Sequence, residues 1–238
     1  ISAARQKGSI KRRWPLKRAV VVVEDKEKRS RVKKASQILA GLSNVKRIIV
    51  AKTKKEAGFG PEVKLNYSVA GPKLRRELSE VEAALAAQSK RVADAISREG
   101  KATVKVRGRE IELNPEDIQI SVVPPPGMAV EEAPAITVLL DLTRDERLVS
   151  EGMIRDIARR VQLTRKMANL NPTEILQKVF IAGLDEESAR LVSKHLHKLG
   201  YLVRSESVGF VDQIPESLFQ AKHTLDELEI TVALKRKS

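Results

Sequence analysis

Three histidines, no cysteine and 45 Lys and Arg residues bound the chemistry open to this 238-residue chain. His195 and His197 stand at i, i+2, which does not share a helix face, and His223 is far from both in sequence. A histidine metal site is therefore not expected, and the absence of Cys excludes disulfides and thiolate zinc sites. There is no Gly-x-Ser-x-Gly elbow and no glycine-rich phosphate loop. Carboxylates abound, but nothing in their spacing selects a general acid or base. No catalytic residue is assigned, and the fragment by itself is read as a binding module rather than an enzyme.

The remaining chemistry is electrostatic. Net charge is +14, and it is unevenly placed. Residues 1–60 hold 18 Lys and Arg against 4 Asp and Glu, whereas residues 61–238 hold 27 of each. An excess gathered in one block points to a polyanion such as nucleic acid, the other reading being a charged solvated surface. The sharpest stretch outside that block is EGMIRDIARRVQLTRK, Glu151 to Lys166. At 100° per residue, Arg155, Arg159, Gln162 and Lys166 fall within about 60° of arc, opposite Ile154, Ile157, Val161 and Ala168. The spacings put successive polar groups about one turn, roughly 5–6 Å, apart, and guanidiniums at that interval can take phosphates bidentately. The same row is also what the outer face of any surface helix shows, paired with acids such as Glu151 and Asp156.

Within the basic block, Arg12, Arg13, Lys17 and Arg18 flank the sole tryptophan, Trp14. An exposed Trp14 would offer an unpaired base a stacking surface; a buried one would plug the core ahead of Pro15. The face carrying Lys28, Arg29, Arg31, Lys33 and Lys34 comes next, followed by Lys52, Lys54 and Lys55 in a loop ahead of Gly58 and Gly60. Such charges hold phosphate without reading sequence.

These side chains need elements to position them. Hydrophobic periodicity predicts mixed α/β or α+β structure, two small domains built from strand–helix–strand units with mixed sheets. Residues 19–50 read strand, helix capped by Asp25 and stopped near Gly41, then strand. A strand before a turn at Gly71-Pro72 leads to helical segments ending at Gly100, with further strands to 123. The Pro-rich stretch from 124 to 134 is read as a linker, placing a basic N-terminal domain at 1–123 and an α/β domain at 135–238. In the latter, Thr143 and Glu146 form a capping box for a helix over about 143–169. A strand follows, then a helix capped by Asp185 and closed by Gly200, a strand opening at Tyr201, and a last strand at ELEITVALK. The units 19–50 and 178–207 have similar layouts, which fits either a repeat or generic α/β construction.

Four stretches in order carry a resemblance: RQKGSIKRRWPLKRAVV, NVKRIIV, VKLNYSVAGPKLRREL and LLDLTRDERLVSEGMIRDIARRVQLTRKMANLNPTE. Together they resemble the C-terminal tRNA-binding region of isoleucyl-tRNA synthetases over about residues 5–180. The late motif maps onto Glu151, Gly152, Arg155, Arg160, Gln162, Arg165 and Lys166. Gly152 suggests close approach of another element. The resemblance implies the archaeal or eukaryotic-type subgroup, since a four-Cys zinc module cannot form here. It implies a piece of a longer class I synthetase, in keeping with a first residue that is Ile1 and not Met. The catalytic and editing domains and the anticodon-binding bundle would lie elsewhere; ATP and Mg would belong to the parent, with no cofactor in this fragment. The implied partners are tRNA, in particular isoleucine tRNA held near its anticodon arm, and the remaining domains of the same synthetase. No membrane partner is expected: no apolar run reaches the roughly 18 residues of a span and no signal peptide is visible, so the location is read as cytoplasmic. A general RNA-binding or ribosome-associated protein and a protein-docking module remain as alternatives.

Overall fold

A computed structural model describes residues 1–237. The element order is α1 (Ser2–Lys7), β1 (Leu16–Val22), α2 (Lys26–Lys34), α3 (Ser36–Ser43), β2 (Val45–Ala51), β3 (Gly60–Leu65), α4 (Tyr67–Leu74), α5 (Leu78–Glu99), β4 (Ala102–Val106), β5 (Arg109–Leu113), β6 (Ile118–Val123), β7 (Met128–Ala133), β8 (Ile136–Asp141), α6 (Glu146–Met167), β9 (Leu176–Ala182), α7 (Glu186–Ser193), α8 (Leu196–Val203), β10 (Ser205–Phe210), β11 (Phe219–Leu225) and β12 (Leu228–Lys235). The mixed α/β class expected from periodicity is what the chain adopts.

Two compact units divide it, and they interleave along the sequence. One comprises 1–19, 35–49 and 140–238; the other comprises 20–34 and 50–139. The expected linker, 124–134, instead contains strand β7. Each of β1, β2 and β8 contributes residues to both units, so the division does not follow a cut at 123.

In the second unit, α5 packs its Val81, Leu85, Val92 and Ala93 against Val63, Leu65, Val104 and Leu113. Gly100 ends α5 at φ 69, the left-handed cap expected of it. The tight turn of the β4–β5 hairpin has positive φ at both Arg107 and Gly108, as a two-residue I′ turn requires. Gly71-Pro72 is not a turn: it lies inside the two-turn helix α4, where Pro72 forfeits one i→i−4 bond, and the break comes at Arg75 with φ 39.

In the first unit, β9 pairs parallel with β10 and antiparallel with β12, which pairs with β11. Helix α6 packs Ile154, Ile157, Ala158 and Val161 onto a core with Val192, Leu199 and Val203. Asp145, not Thr143, caps α6, accepting from the Leu148 N–H at 2.9 Å. Thr143 is held by Asp141 instead, donating its N–H at 3.0 Å and its hydroxyl at 2.5 Å. Gly200 does not end a helix. A Cβ there would lie 3.0 Å from the Ser205 carbonyl oxygen, so its role is close approach. Helix α8 runs on through Tyr201 to a left-handed Arg204 at φ 53, and the strand opens at Ser205. Likewise α3 passes Gly41 and stops at Asn44, φ 53. Strand β11 had no reading in the sequence.

The two strand–helix–strand units are copies of one structure, in register at 160 residues without an insertion. β1 starts at Leu16 and β9 at Leu176. Asp25 and Asp185 accept from the N–H groups of Lys28 and Ser188, both at 2.7 Å. The helices break at Ala35 and at His195. Leu16 N–H donates to Asn44 O at 3.1 Å, and Leu176 N–H to Arg204 O at 2.9 Å. The sheet orders β2-β1-β8-β7 and β10-β9-β12-β11 correspond strand for strand. Elements β3 to β6 are inserted between the second and third strands of the first copy, where in the second copy β10 leads straight to β11. Generic α/β construction does not give hydrogen bonds that match residue by residue.

Candidate nucleic-acid interface

Helix α6 is the centre of the first unit's polar structure, and most of its motif residues are engaged within the fold. Gly152 meets the Trp14 ring: a Cβ at 152 would lie 2.5 Å from it. Trp14 is 8% exposed. Its indole N–H donates to Asp156 Oδ2 at 2.8 Å, and Arg13 Nε donates to Asp156 Oδ1 at 2.6 Å. Arg144 stacks over the ring, 4.7 Å from the centroid. The open stacking surface is therefore absent; of the two readings of Trp14, the core plug is the one the structure shows. Asp156 is fully buried and keeps its charge. Burial alone would raise its pKa, but the hydrogen bonds from Arg13 and Trp14 and the charges of Arg13 and Arg160 outweigh it, holding the carboxyl below the usual range.

Arg155 extends across to the end of α3. It donates to Asn44 Oδ1 at 2.5 Å and to Glu151 Oε1 at 2.7 Å. Asn44 in turn donates to the carbonyls of Arg12 and Arg13 at 3.1 and 2.9 Å. Lys46 pairs with Glu151 at 2.6 Å, and this outweighs burial to keep the Glu151 carboxyl low. The N-terminal basic segment and the motif helix are thus brought together through Asn44. Gln162 donates to the Leu202 carbonyl at 3.0 Å. Arg165 is 2% exposed and donates to the carbonyls of Val203, Asn171 and Glu174 at 3.1, 3.2 and 2.7 Å. Burial pulls its pKa down from the ordinary arginine value. A guanidinium so enclosed is not presented to phosphate.

Of the expected ridge, Arg159 and Lys166 are left. Both are exposed and form no salt bridge among the described residues. Arg12 and Lys17 are exposed in the same unit, while Arg18 is held by Asp141 at 2.8 Å. The other candidates belong to the second unit. Arg29 donates to the carbonyls of Val23 and Glu24 at 2.9 and 2.7 Å. Arg31 stands 3.7 Å from Glu27, and Lys54 pairs with Glu132 at 2.7 Å. Lys33, Lys34, Lys52 and Lys55 are exposed. Sequence reasoning missed Asn44, Lys46 and the buried role of Asp156. An acid between Ile154 and Ile157, on the apolar side of an amphipathic helix, was the signal for the last.

Among the described residues no group of three or more His, Asp or Glu is placed to hold a metal, and no helix is long and apolar enough to cross a membrane. No protein-family model matches the chain. Curated relatives do. The chain is 28% identical over 237 residues to the isoleucine–tRNA ligase of Methanocella arvoryzae, 99% of this chain and 21% of that protein. The chain aligns with isoleucine–tRNA ligases over 73–99% of its length. The enzyme of Thermococcus kodakarensis is 26% identical over 95% of this chain and 21% of its own length, and that of Bacteroides thetaiotaomicron 28% identical over 73% of this chain and 15% of its own. The chain thus spans about a fifth of the length of the fuller matches. The resemblance read from residues 5–180 extends past 185, into the second copy, where the sequence had offered no nameable motif.

Proposed function

We propose that this chain is the non-catalytic, tRNA-binding part of an isoleucine–tRNA ligase, which holds isoleucine tRNA near the anticodon arm and supports reading of the anticodon. The alignment with isoleucine–tRNA ligases over 99% of the chain carries this reading. The basic block and the free Arg12, Lys17, Arg159 and Lys166 support it, because exposed unpaired cations are the groups that replace phosphate counterions. Isoleucine activation with ATP and Mg, and charging of the tRNA, would be the work of the longer protein, in the cytoplasm. In this reading the chain's own residues bind and position the tRNA.

Filter binding to isoleucine tRNA, an anticodon-swapped version and an unrelated tRNA, at two salt concentrations, tests it. Weakening by about 1–3 kcal/mol on the anticodon swap, the range for a single misread base pair in DNA sites, shows sequence reading. Equal binding that collapses with salt reduces the chain to a phosphate clamp, and no binding to any tRNA overturns the proposal.

A further inference from the structure

We propose that the outer face of α3 is the seat of an amphipathic helix that runs into α1 from its N-terminal side, as α6 runs over α8. The argument starts from the duplication, which reaches upstream of the strands. Gly8 N–H donates to Ala4 O at 3.0 Å, and Ala168 N–H to Thr164 O at 2.9 Å. Ile10 N–H donates to Arg5 O at 3.0 Å, and Leu170 N–H to Arg165 O at 3.1 Å. Ser9 and Asn169 both turn left-handed, at φ 54 and 52. Helix α1 is therefore the counterpart of the last turn of α6, held by the corresponding arginine to the loop that follows and to the end of the second crossover helix. A last turn fixes a helix axis, so residues continuing α1 upstream follow the line that α6 follows in the second copy.

In the second copy that line is filled. Ile154, Ile157, Ala158 and Val161 cover α8, and Leu199 and Val203 are fully buried. In the first copy it is open. Helix α3 buries no residue; Leu39, the counterpart of Leu199, is only half-buried. Leu42 is 66% exposed where its counterpart Leu202 is 37%, and Ile38 beside it is 68% exposed. Ser36 and Ser43 stand where Leu196 and Val203 do, leaving room for larger side chains on the occupant. Ile1 is the counterpart of Val161, so the occupant's apolar contacts fall 3, 4 and 7 residues before Ile1, matching Ala158, Ile157 and Ile154. The source is the same polypeptide: in the relatives, about four-fifths of the length lies outside the matched segment.

The gene upstream of the Ile1 codon gives the first test. Apolar residues at those three positions, with no proline in about the last four turns, are expected; charged residues there or a helix-breaking proline overturn the proposal. The second test is hydrogen exchange on the 238-residue chain and on the chain extended by about twenty native upstream residues. The extension is expected to slow exchange of the α3 amides at least about tenfold. I38D/L42D should abolish that slowing while leaving the shorter chain's stability unchanged, since both side chains are already in water there. Unchanged α3 exchange in the extended chain, or protection that survives I38D/L42D, overturns it.

Discussion

Arg5 and Arg165 stand 160 residues apart and bind the same carbonyls of two copies of one fold. Arg5 donates to Lys11 O at 3.2 Å, Trp14 O at 2.9 Å and Ser43 O at 2.9 Å. Arg165 donates to Asn171 O, Glu174 O and Val203 O. Each pair of acceptors is related by the same 160 positions. In both copies one guanidinium ties the end of an entering helix to the loop that follows and to the end of the second helix of the crossover. Three carbonyls depend on Arg165 and four on Arg5, which also donates to Asn44 O at 2.8 Å, and a lysine can satisfy them only in part because it is a point charge without the planar fork.

R165A should therefore destabilise the first unit by about 2–4 kcal/mol, since charged hydrogen bonds are lost and buried carbonyls are left unpaired. R165K should recover only a minor part. Urea unfolding followed by circular dichroism measures both; a change within about 0.5 kcal/mol would refute the tether. R5A should behave alike, because Arg5 is 4% exposed.

Contact between Gly152 and Trp14 predicts a coupled pair. G152A puts a methyl into the indole and should cost at least about 1–3 kcal/mol by overpacking. In a W14A background the same substitution should cost little, because the obstructing ring is gone, and the gain in helix propensity, about 1 kcal/mol, can surface. A double-mutant cycle by chemical denaturation reads the coupling; additive effects would contradict the contact.

How much of this was legible in the sequence depends on how local the cause was. Asp25, Asp185 and Gly100 act within a few residues of their own chain position, and capping chemistry located them. Gly152 reads as a close-approach glycine from the sequence, although its partner lies 138 positions away. Thr143 looked like a cap, but Asp141 competes for its hydroxyl and N–H, and Asp145 is two residues nearer the helix. Gly200 looked like a helix stop because glycine ends helices; here it is needed for the approach of Ser205. Arg165 entered as a candidate through the motif that carries the resemblance, and a motif gives position and not what the side chain touches. The duplication was visible as a layout, but with Arg5, Leu16, Asp25, Val32 and Leu39 among the few residues identical to their counterparts, only the hydrogen bonds establish it.

Acid should unfold the first unit through Asp156. Its carboxyl is held below the ordinary range when folded, so the unfolded chain binds the proton more readily. Its contribution is fully present above the unfolded pKa, about 3.9, and is lost as pH falls through the lower folded value. Trp14, the sole tryptophan, donates to this carboxylate, so its emission should change over the same acid window. In D156N the emission change should vanish. An unaltered emission titration in D156N would assign it to another acid.

His223 gives a second pH window with its own sign. Burial, and then the charge of Arg160, lower its pKa, so the folded state favours the neutral ring that sits 2.7 Å from the Thr164 hydroxyl. Its contribution is complete above the unfolded pKa, about 6.5, and is lost as pH falls below that toward the folded value. Stability measured between about pH 7 and 5 should therefore decline with acid, and H223Q should flatten the decline. A decline of the same slope in H223Q would exclude this histidine as its source.

The motif helix divides its cations between the fold and the solvent, and that division is measurable. R159A and K166A remove exposed charges with no salt bridge among the described residues, so each should leave the melting temperature nearly unchanged. If the tRNA-binding proposal holds, each should also lower the salt dependence of tRNA binding by about one counterion, uniformly across tRNA sequences. R155A should do the reverse in emphasis: it breaks the bonds to Asn44 and Glu151 and costs stability first. Loss of tRNA affinity in R155A that scales with its loss of stability marks Arg155 as a brace. Loss of affinity in R159A at unchanged stability marks Arg159 as the ridge's working cation, and a salt slope unmoved by both R159A and K166A would put the phosphate contacts elsewhere, in the basic block of residues 1–60.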